Sequence, residues 1–244
     1  LCSEVSEKRW NAVNMILARL KQAKNPRQDD ILQTLPIALI ESREYIGTIY
    51  FIEHCIRNGA FFDPKIIDTV INAIVAKKIE CIDDEENEAA NVITQILHRF
   101  YNTILSHSEY QKKPEIYLSI GTNVEQEKDV PTAINLYNEA IWLGSMDGYF
   151  SAACAYESQW NYDMSATIFD AAYQICGEER FLHRYIHALC KGGKREEAYT
   201  YYLYLQSKNK NVVDGYQEAS KTIINPFIVF SEAIHSDEDL REFE

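Results

Sequence analysis

The chain has 244 residues, of which 46% are hydrophobic and 25% charged, with only nine Gly and six Pro. This composition is typical of a folded protein with a sizeable apolar core, and it excludes a chain that is disordered over most of its length. The formal net charge of −13 argues against nonspecific attraction of the whole surface to nucleic acid or to anionic membranes.

The first half of the chain has the three-and-four spacing of apolar residues that is typical of amphipathic helices. Residues 4–21 are predicted to form one such helix. Asp63 followed by Pro64 predicts the start of another, since Asp is a favoured N-cap and Pro suits the first helical position. The acidic residues 83–86 are predicted to open the next helix, where the helix dipole favours negative charge. We therefore expect residues 1–110 to form an N-terminal helical region built from helix pairs.

A repeat appears beyond residue 114 when small and aromatic residues are aligned at intervals of 32 and 33. The second helix of each predicted unit carries a small, a bulky and then a small or apolar residue. These triplets are Ala133, Tyr137 and Ala140; Ser165, Phe169 and Ala172; and Ala198, Tyr202 and Leu205. The first helices place a small or apolar residue twelve positions before each triplet, at Gly121, Ala153 and Ile186.

The physical logic of this pattern is that small residues let two helix axes approach while an aromatic ring fills the groove beside them. A single helix pair cannot bury both of its faces, so the pairs are expected to stack. Gly144, Gly177 and the Gly192-Gly193 doublet fall where helices are predicted to end in left-handed caps. The last residues, 211–244, are predicted to form short capping helices.

The small-aromatic-small spacing over residues 115–208 resembles the tetratricopeptide repeat, whose helix pairs recur at about 34 residues. Residues 188–198, with the sequence ALCKGGKREEA, resemble the turn of a pentatricopeptide repeat, and Asp63-Pro64 leading to Ile71-Asn72-Ala73 does so more weakly. Both resemblances imply an all-α protein, an α-solenoid of antiparallel helix pairs that forms a superhelix. We expect three tetratricopeptide-like repeats over residues 111–210.

The two resemblances imply different functions. The first implies a non-catalytic scaffold whose groove, lined by first helices, holds a protein segment or a neighbouring subunit of a multisubunit assembly. The candidate partner contacts are Tyr117, Tyr149, Tyr156, His183 and His187. The second implies an alternative, binding of single-stranded RNA in an organelle. The candidate phosphate contacts for that alternative are Lys191, Lys194 and Arg195.

The pentatricopeptide-like turns, with a chain that begins at Leu1, also suggest where the protein acts. They favour a scaffold within a mitochondrial gene-expression assembly or the ribosome, in the mitochondrial matrix rather than the cytoplasm. Six widely spaced cysteines without a C-x-x-C pair are typical of reduced thiols in an intracellular compartment. No apolar run reaches the roughly 18 residues of a transmembrane helix, so no membrane insertion is predicted.

No catalytic motif is recognisable in the sequence. It contains no G-x-S-x-G, no glycine-rich phosphate loop and no dinucleotide fingerprint, and residues 83–88 lack the ligand spacing of a calcium loop. His183 and His187 stand four apart on one predicted helix, a spacing that can present two imidazoles to a metal, but no further ligand lies at the required spacing. The sequence therefore predicts no enzyme, no cofactor and no metal site.

Overall fold

The computed structural model describes Met15 and residues 28–208, all of them in helices and the turns between them. The described helices are α1 (Gln28–Glu41), α2 (Tyr45–Arg57), α3 (Pro64–Asp83), α4 (Asn87–Leu105), α5 (Pro114–Gln126), α6 (Val130–Trp142), α7 (Met146–Ser158), α8 (Tyr162–Cys176), α9 (Glu179–Lys191) and α10 (Arg195–Lys208), with a 3-10 turn at Tyr110–Lys112. The predicted all-α fold is confirmed.

The helix predicted at residues 4–21, apart from Met15, and the capping helices predicted at residues 211–244 lie outside the described residues. No helix within the described ranges is long and apolar enough to cross a membrane.

The chain divides into two compact units, Leu1–Ser151 and Ala152–Glu244. The first unit holds α1 to α6 and the start of α7, and the second holds the rest of α7 together with α8, α9 and α10. The division predicted from sequence pattern, at residues 110 and 210, describes repeat types rather than compactness and stays a prediction.

Helices in the first unit form antiparallel pairs, α1 with α2, α3 with α4 and α5 with α6, and the two members of each pair pack together. Successive pairs stack in register, because α1 packs on α3, α3 packs on α5, and α2 packs on α4. First helices thus contact first helices at both steps, and second helices contact each other at the step from α2 to α4, which is the packing of an α-solenoid. In the second unit, α9 packs against both α8 and α10.

The turn inside each described helix pair has one backbone geometry. Three residues link the two helices, and the middle residue has a positive φ. The middle residues are Arg43, Glu85, Lys128, Trp160 and Gly193, with φ of 60°, 62°, 69°, 60° and 79°. The next N–H then donates to the carbonyl five residues back, as from Glu86 to Cys81 at 2.8 Å, which closes a Schellman-type cap.

This turn corrects the prediction that residues 83–86 open a helix. Asp83 is instead the last residue of α3, and α4 begins at Asn87. The left-handed backbone at Glu85 interrupts the helix between them. The predicted N-cap at Asp63 is confirmed, since its Oδ1 accepts the Lys65 N–H at 2.8 Å. The predicted left-handed conformation is confirmed at Gly144, Gly177 and Gly193, with φ of 85°, 68° and 79°. Gly192, the other member of the doublet, has a φ of −78° and is not left-handed.

The small and aromatic repeat positions are buried in both units. Ala133, Tyr137 and Ala140 are at most 1% exposed in the first unit. Ser165, Phe169, Ala172 and Ala198 are 0% exposed in the second. The side chains of Tyr202 and Leu205 lie outside the described residues.

Gly121 shows why one of these positions is small. A Cβ added to Gly121 of α5 would lie 2.6 Å from Cε1 and 2.9 Å from Cδ1 of Tyr137 on α6. The ring is held in place, because the Tyr137 hydroxyl donates to Glu125 Oε2 at 2.7 Å. The backbone of α5 therefore rests directly on the face of the Tyr137 ring, and any side chain at residue 121 would push the two helices apart.

Gly121→Ala is expected to lower the free energy of unfolding by roughly 1–3 kcal/mol, because overpacking a filled core displaces well-packed side chains. Gly47→Ala on α2 is the matched control, since a Cβ there meets only Glu44 atoms at 3.9 and 4.0 Å. That control should be neutral or stabilising, as Ala favours helix over Gly by about 1 kcal/mol. Urea unfolding of both variants makes the comparison, and equal stability changes would contradict the packing described.

The left-handed turns give a second expectation. Lys128→Gly should raise the free energy of unfolding by about 1 kcal/mol, because a side chain is disfavoured at positive φ and Lys128 is exposed. Gly193→Ala, at the same turn position and also exposed, should lower it by a similar amount. Chemical denaturation measures both, and destabilisation by Lys128→Gly would contradict the turn geometry.

Candidate partner-binding surfaces

An apolar groove of about 1460 Å³ lies in the first unit, between α2 and α4 and beside the turns that follow α1 and α3. One wall is α2, which supplies Ile46, Ile49 and Tyr50. The groove is larger than the roughly 300–1,000 Å³ of a typical small-molecule pocket. Its size and elongated helical walls suit a segment of a macromolecule.

The second wall of the groove is α4. It supplies Ala89, Val92, Ile93 and Ile96, which recur at intervals of three and four residues. Residues at that spacing share one face of a helix, so α4 turns an apolar stripe into the groove along two turns.

Part of this apolar surface is open to solvent. Ile46 is 44% exposed, Tyr50 is 41% exposed and Val92 is 46% exposed. Ile49 and Ile74, which line the same groove, are at most 2% exposed and belong to the core beneath it. An exposed apolar surface that is concave and continuous with the core is typical of a protein-binding site.

An ion pair between a buried glutamate and a partly exposed arginine joins the two walls. The Glu53 side chain on α2 is 2% exposed, and its Oε1 accepts from Nε of Arg99 on α4 at 3.0 Å. The Arg99 guanidinium also lies 4.7 Å from the centre of the Tyr50 ring, within the range of a cation–π contact. Arg57 Nη2 of α2 also lies 3.6 Å from Glu53 Oε2, so the buried carboxylate has a cation on its own helix and another on α4. The contact with Arg99 joins α2 to α4.

The rim of the groove is acidic. Glu44, Glu85, Glu86 and Glu88 line it, and the lining cations are Arg43 and Lys77. Lys77 Nζ lies 3.0 Å from Glu80 Oε2 on the next turn of α3. The hydrogen bond to Glu80 raises the pKa of Lys77 above its usual value, so this cation is already matched by a carboxylate.

The second unit holds a different polar cluster, centred on Glu157 of α7. Its carboxylate accepts from the Arg184 guanidinium of α9 and from the Ser165 hydroxyl of α8, the latter at 3.2 Å. Nδ1 of His187 lies 3.8 Å from Glu157 Oε1. Burial acts to raise the pKa of Glu157, but His187 and Arg184 together outweigh it and hold that pKa below its usual range. The cluster joins three helices, and within it the Arg184 guanidinium is paired with the Glu157 carboxylate.

The predicted partner contacts differ in accessibility. Tyr117 is only 8% exposed, which leaves little of its ring for a partner. Tyr149 and Tyr156 are half-buried. His183 and His187 are also half-buried, and desolvation lowers the pKa of His183. His187 is engaged with the Glu157 cluster, as described above.

The three predicted phosphate contacts lie together at the turn between α9 and α10. Lys191, Lys194 and Arg195 are all exposed. Lys194 Nζ lies 2.8 Å from Asp163 Oδ1, so its charge is matched within the second unit.

Sequence reasoning missed the groove between α2 and α4. A signal for it is present in α2, where Ile46 and Tyr50 widen the apolar face beyond the stripe that the core needs. Periodicity identifies such a face, but it does not tell whether a neighbouring helix covers it.

No protein-family model matches the sequence, and no curated protein matches it significantly. Among solved structures, the chain is similar to a crystal structure of MamA, with 14% identity and a TM-score of 0.46 over 83% of this chain and 100% of that chain. It is also similar to a MamA MSR-1 structure, with 14% identity and a TM-score of 0.45 over 76% of this chain and 99% of that chain. A MamA AMB-1 structure gives 14% identity and a TM-score of 0.42 over 77% and 94%. The all-α fold of packed helices rests on the packing within each unit, and the tetratricopeptide and pentatricopeptide resemblances stay predictions.

Proposed function

We propose that this protein is a non-catalytic helical-repeat scaffold that binds a segment of a partner protein in the groove between α2 and α4. The observation that carries the proposal is the exposed apolar surface of Ile46, Tyr50 and Val92 in a concave groove. Its walls are joined by the Glu53–Arg99 pair, so the site is formed before a partner arrives. A preformed groove lowers the ordering cost of binding.

The apolar surface is large enough to matter energetically. Complete burial of an exposed Ile, Val or aromatic side chain contributes about 1.5–3 kcal/mol, and these three side chains are each a little under half exposed. Covering them would therefore contribute about 1 kcal/mol each, a few kcal/mol together. Apolar contact alone then gives weak binding, so polar contacts at the rim have to add affinity and specificity.

The partner belongs, in this proposal, to a larger assembly. Placement of that assembly in mitochondrial gene expression or the ribosome stays a prediction from the resemblance, as does the mitochondrial matrix. Tyr117, Tyr149, Tyr156, His183 and His187 stay proposed contacts. Tyr117 has 8% of its surface exposed, and the other four are half-buried. Direct RNA binding stays the alternative, with Lys191, Lys194 and Arg195 as its proposed phosphate contacts.

Two exposed residues of the groove provide the test. The double variant Ile46→Asn and Val92→Asn places polar groups on both walls while changing residues that are exposed, so its melting temperature should stay close to that of the native chain. The matched control is Ile79→Asn with Ile175→Asn, which changes two side chains that are 50% and 62% exposed and do not line the groove.

The tagged native chain and both variants are purified at moderate salt from cells that naturally make the protein, with and without nuclease. We expect an identified protein to accompany the native chain and the control, and to be lost from the groove variant. Affinity of that protein, once purified, should fall about tenfold or more for the groove variant. Retention of every partner by the groove variant would contradict the proposal, and RNA crosslinked to the chain with proteins lost on digestion would favour the alternative.

A further inference from the structure

The walls of the groove restrict the conformation of its occupant, and this inference rests on the proposed function. Both walls are helices, and beyond the first turn of each the backbone N–H and C=O groups are paired within the helix. An extended segment laid along the walls beyond those first turns would bury backbone polar groups that find no partner there. A helix satisfies its own backbone, and the apolar stripe of α4 has the spacing that a second helix face matches.

The rim restricts the charge of the occupant. Four carboxylates line the groove, at Glu44, Glu85, Glu86 and Glu88, against Arg43 and the Lys77 that is matched by Glu80. Glu85, Glu86 and Glu88 are exposed, as are Asp83 and Asp84 in the adjoining stretch of chain. An acidic segment would be repelled by this end of the groove, whereas Lys or Arg side chains would find carboxylates at the edge of an apolar surface.

We infer that the groove between α2 and α4 takes a cationic amphipathic helix of a partner protein. Its apolar face lies on Ile46, Tyr50, Val92 and their neighbours along both walls. Its Lys or Arg side chains contact the carboxylates at the turn between α3 and α4. The apolar floor provides most of the contact area, and the acidic turn sets which segments are accepted and in which direction they lie.

Three labelled synthetic peptides of about fourteen residues test this inference against the full chain by fluorescence anisotropy. The first places Leu and Lys so that a helix has one apolar and one cationic face. The second replaces every Lys with Glu, and the third scrambles the order of Leu and Lys so that no apolar face forms. The native chain should bind the first peptide more tightly than either of the others, and more weakly as salt is raised.

Charge variants test whether peptide binding depends on the carboxylates of the groove or on the net negative charge of the whole chain. Glu85→Gln with Glu88→Gln should weaken binding of the first peptide about three- to tenfold, the effect of losing two exposed ion pairs. The matched control, Glu115→Gln with Glu139→Gln, removes two exposed carboxylates on α5 and α6 of the same unit and should leave the affinity unchanged.

Equal weakening by both charge variants, or equal binding of the amphipathic and scrambled peptides, would overturn the inference, because the attraction would then come from net charge alone. Self-association of the native chain that Glu85→Gln with Glu88→Gln abolishes would also overturn it, by assigning the groove to a second copy. Suppose that the natural partner is lost from the double variant Ile46→Asn with Val92→Asn, here the Asn groove variant, and yet is retained by Glu85→Gln with Glu88→Gln. In that case the proposed function stands and this inference fails. If the Asn groove variant loses no partner, the proposed function fails instead.

Discussion

A pair of amphipathic helices buries the faces that its two members turn toward each other, and it leaves further apolar surface for something else to cover. Within the first unit the next pair covers it, with α1 on α3, α3 on α5 and α2 on α4. Close approach inside a pair depends on small residues, most clearly where the Gly121 backbone rests on the Tyr137 ring. At the groove between α2 and α4 this covering is incomplete, and its apolar walls therefore remain accessible to a partner.

Apolar packing alone does not fix how far one helix is shifted along its neighbour. In the first unit, polar contacts between the helices fix that register. Glu53 on α2 is tied to Arg99 on α4, and Glu127 after α5 accepts from both Lys78 on α3 and His98 on α4 at 2.6 Å. A carboxylate with little access to water is costly unless it is paired, and the side chains of Glu53 and Glu127 are 2% and 15% exposed. These two groups therefore favour the arrangement in which each has its partners. The walls of the groove are therefore positioned by contacts that no partner has to make.

The sequence predicted the repeated core positions and several of the helix ends. Ala133, Tyr137, Ser165 and Phe169 were found because burial imposes the same side-chain sizes at a regular interval. The Asp63 N-cap and the left-handed Gly177 were found because local backbone geometry selects those residue types. The turns at Arg43, Glu85, Lys128 and Trp160 were not found, since the hydrogen bonds of the cap outweigh the cost of a positive φ and no glycine marks the position.

The groove and the Glu157 cluster also could not be predicted from the sequence, but the reason is different. Both depend on which helices become neighbours, and the contacts join residues that are far apart in sequence, such as Glu53 with Arg99 and Glu157 with Arg184. Apolar spacing on α4 identifies a face that avoids water, but the extent to which α2 covers Val92 follows from how the pairs stack. Such surfaces become visible only when the tertiary packing is known.

Hydrogen–deuterium exchange of the full chain, with and without its purified natural partner, would test the proposed binding site most directly. The groove assignment predicts that new protection concentrates in two stretches, residues 44–50 leading into α2 and residues 85–96 leading into α4. Protection confined to residues 183–195 of the second unit, with none in the groove, would contradict it.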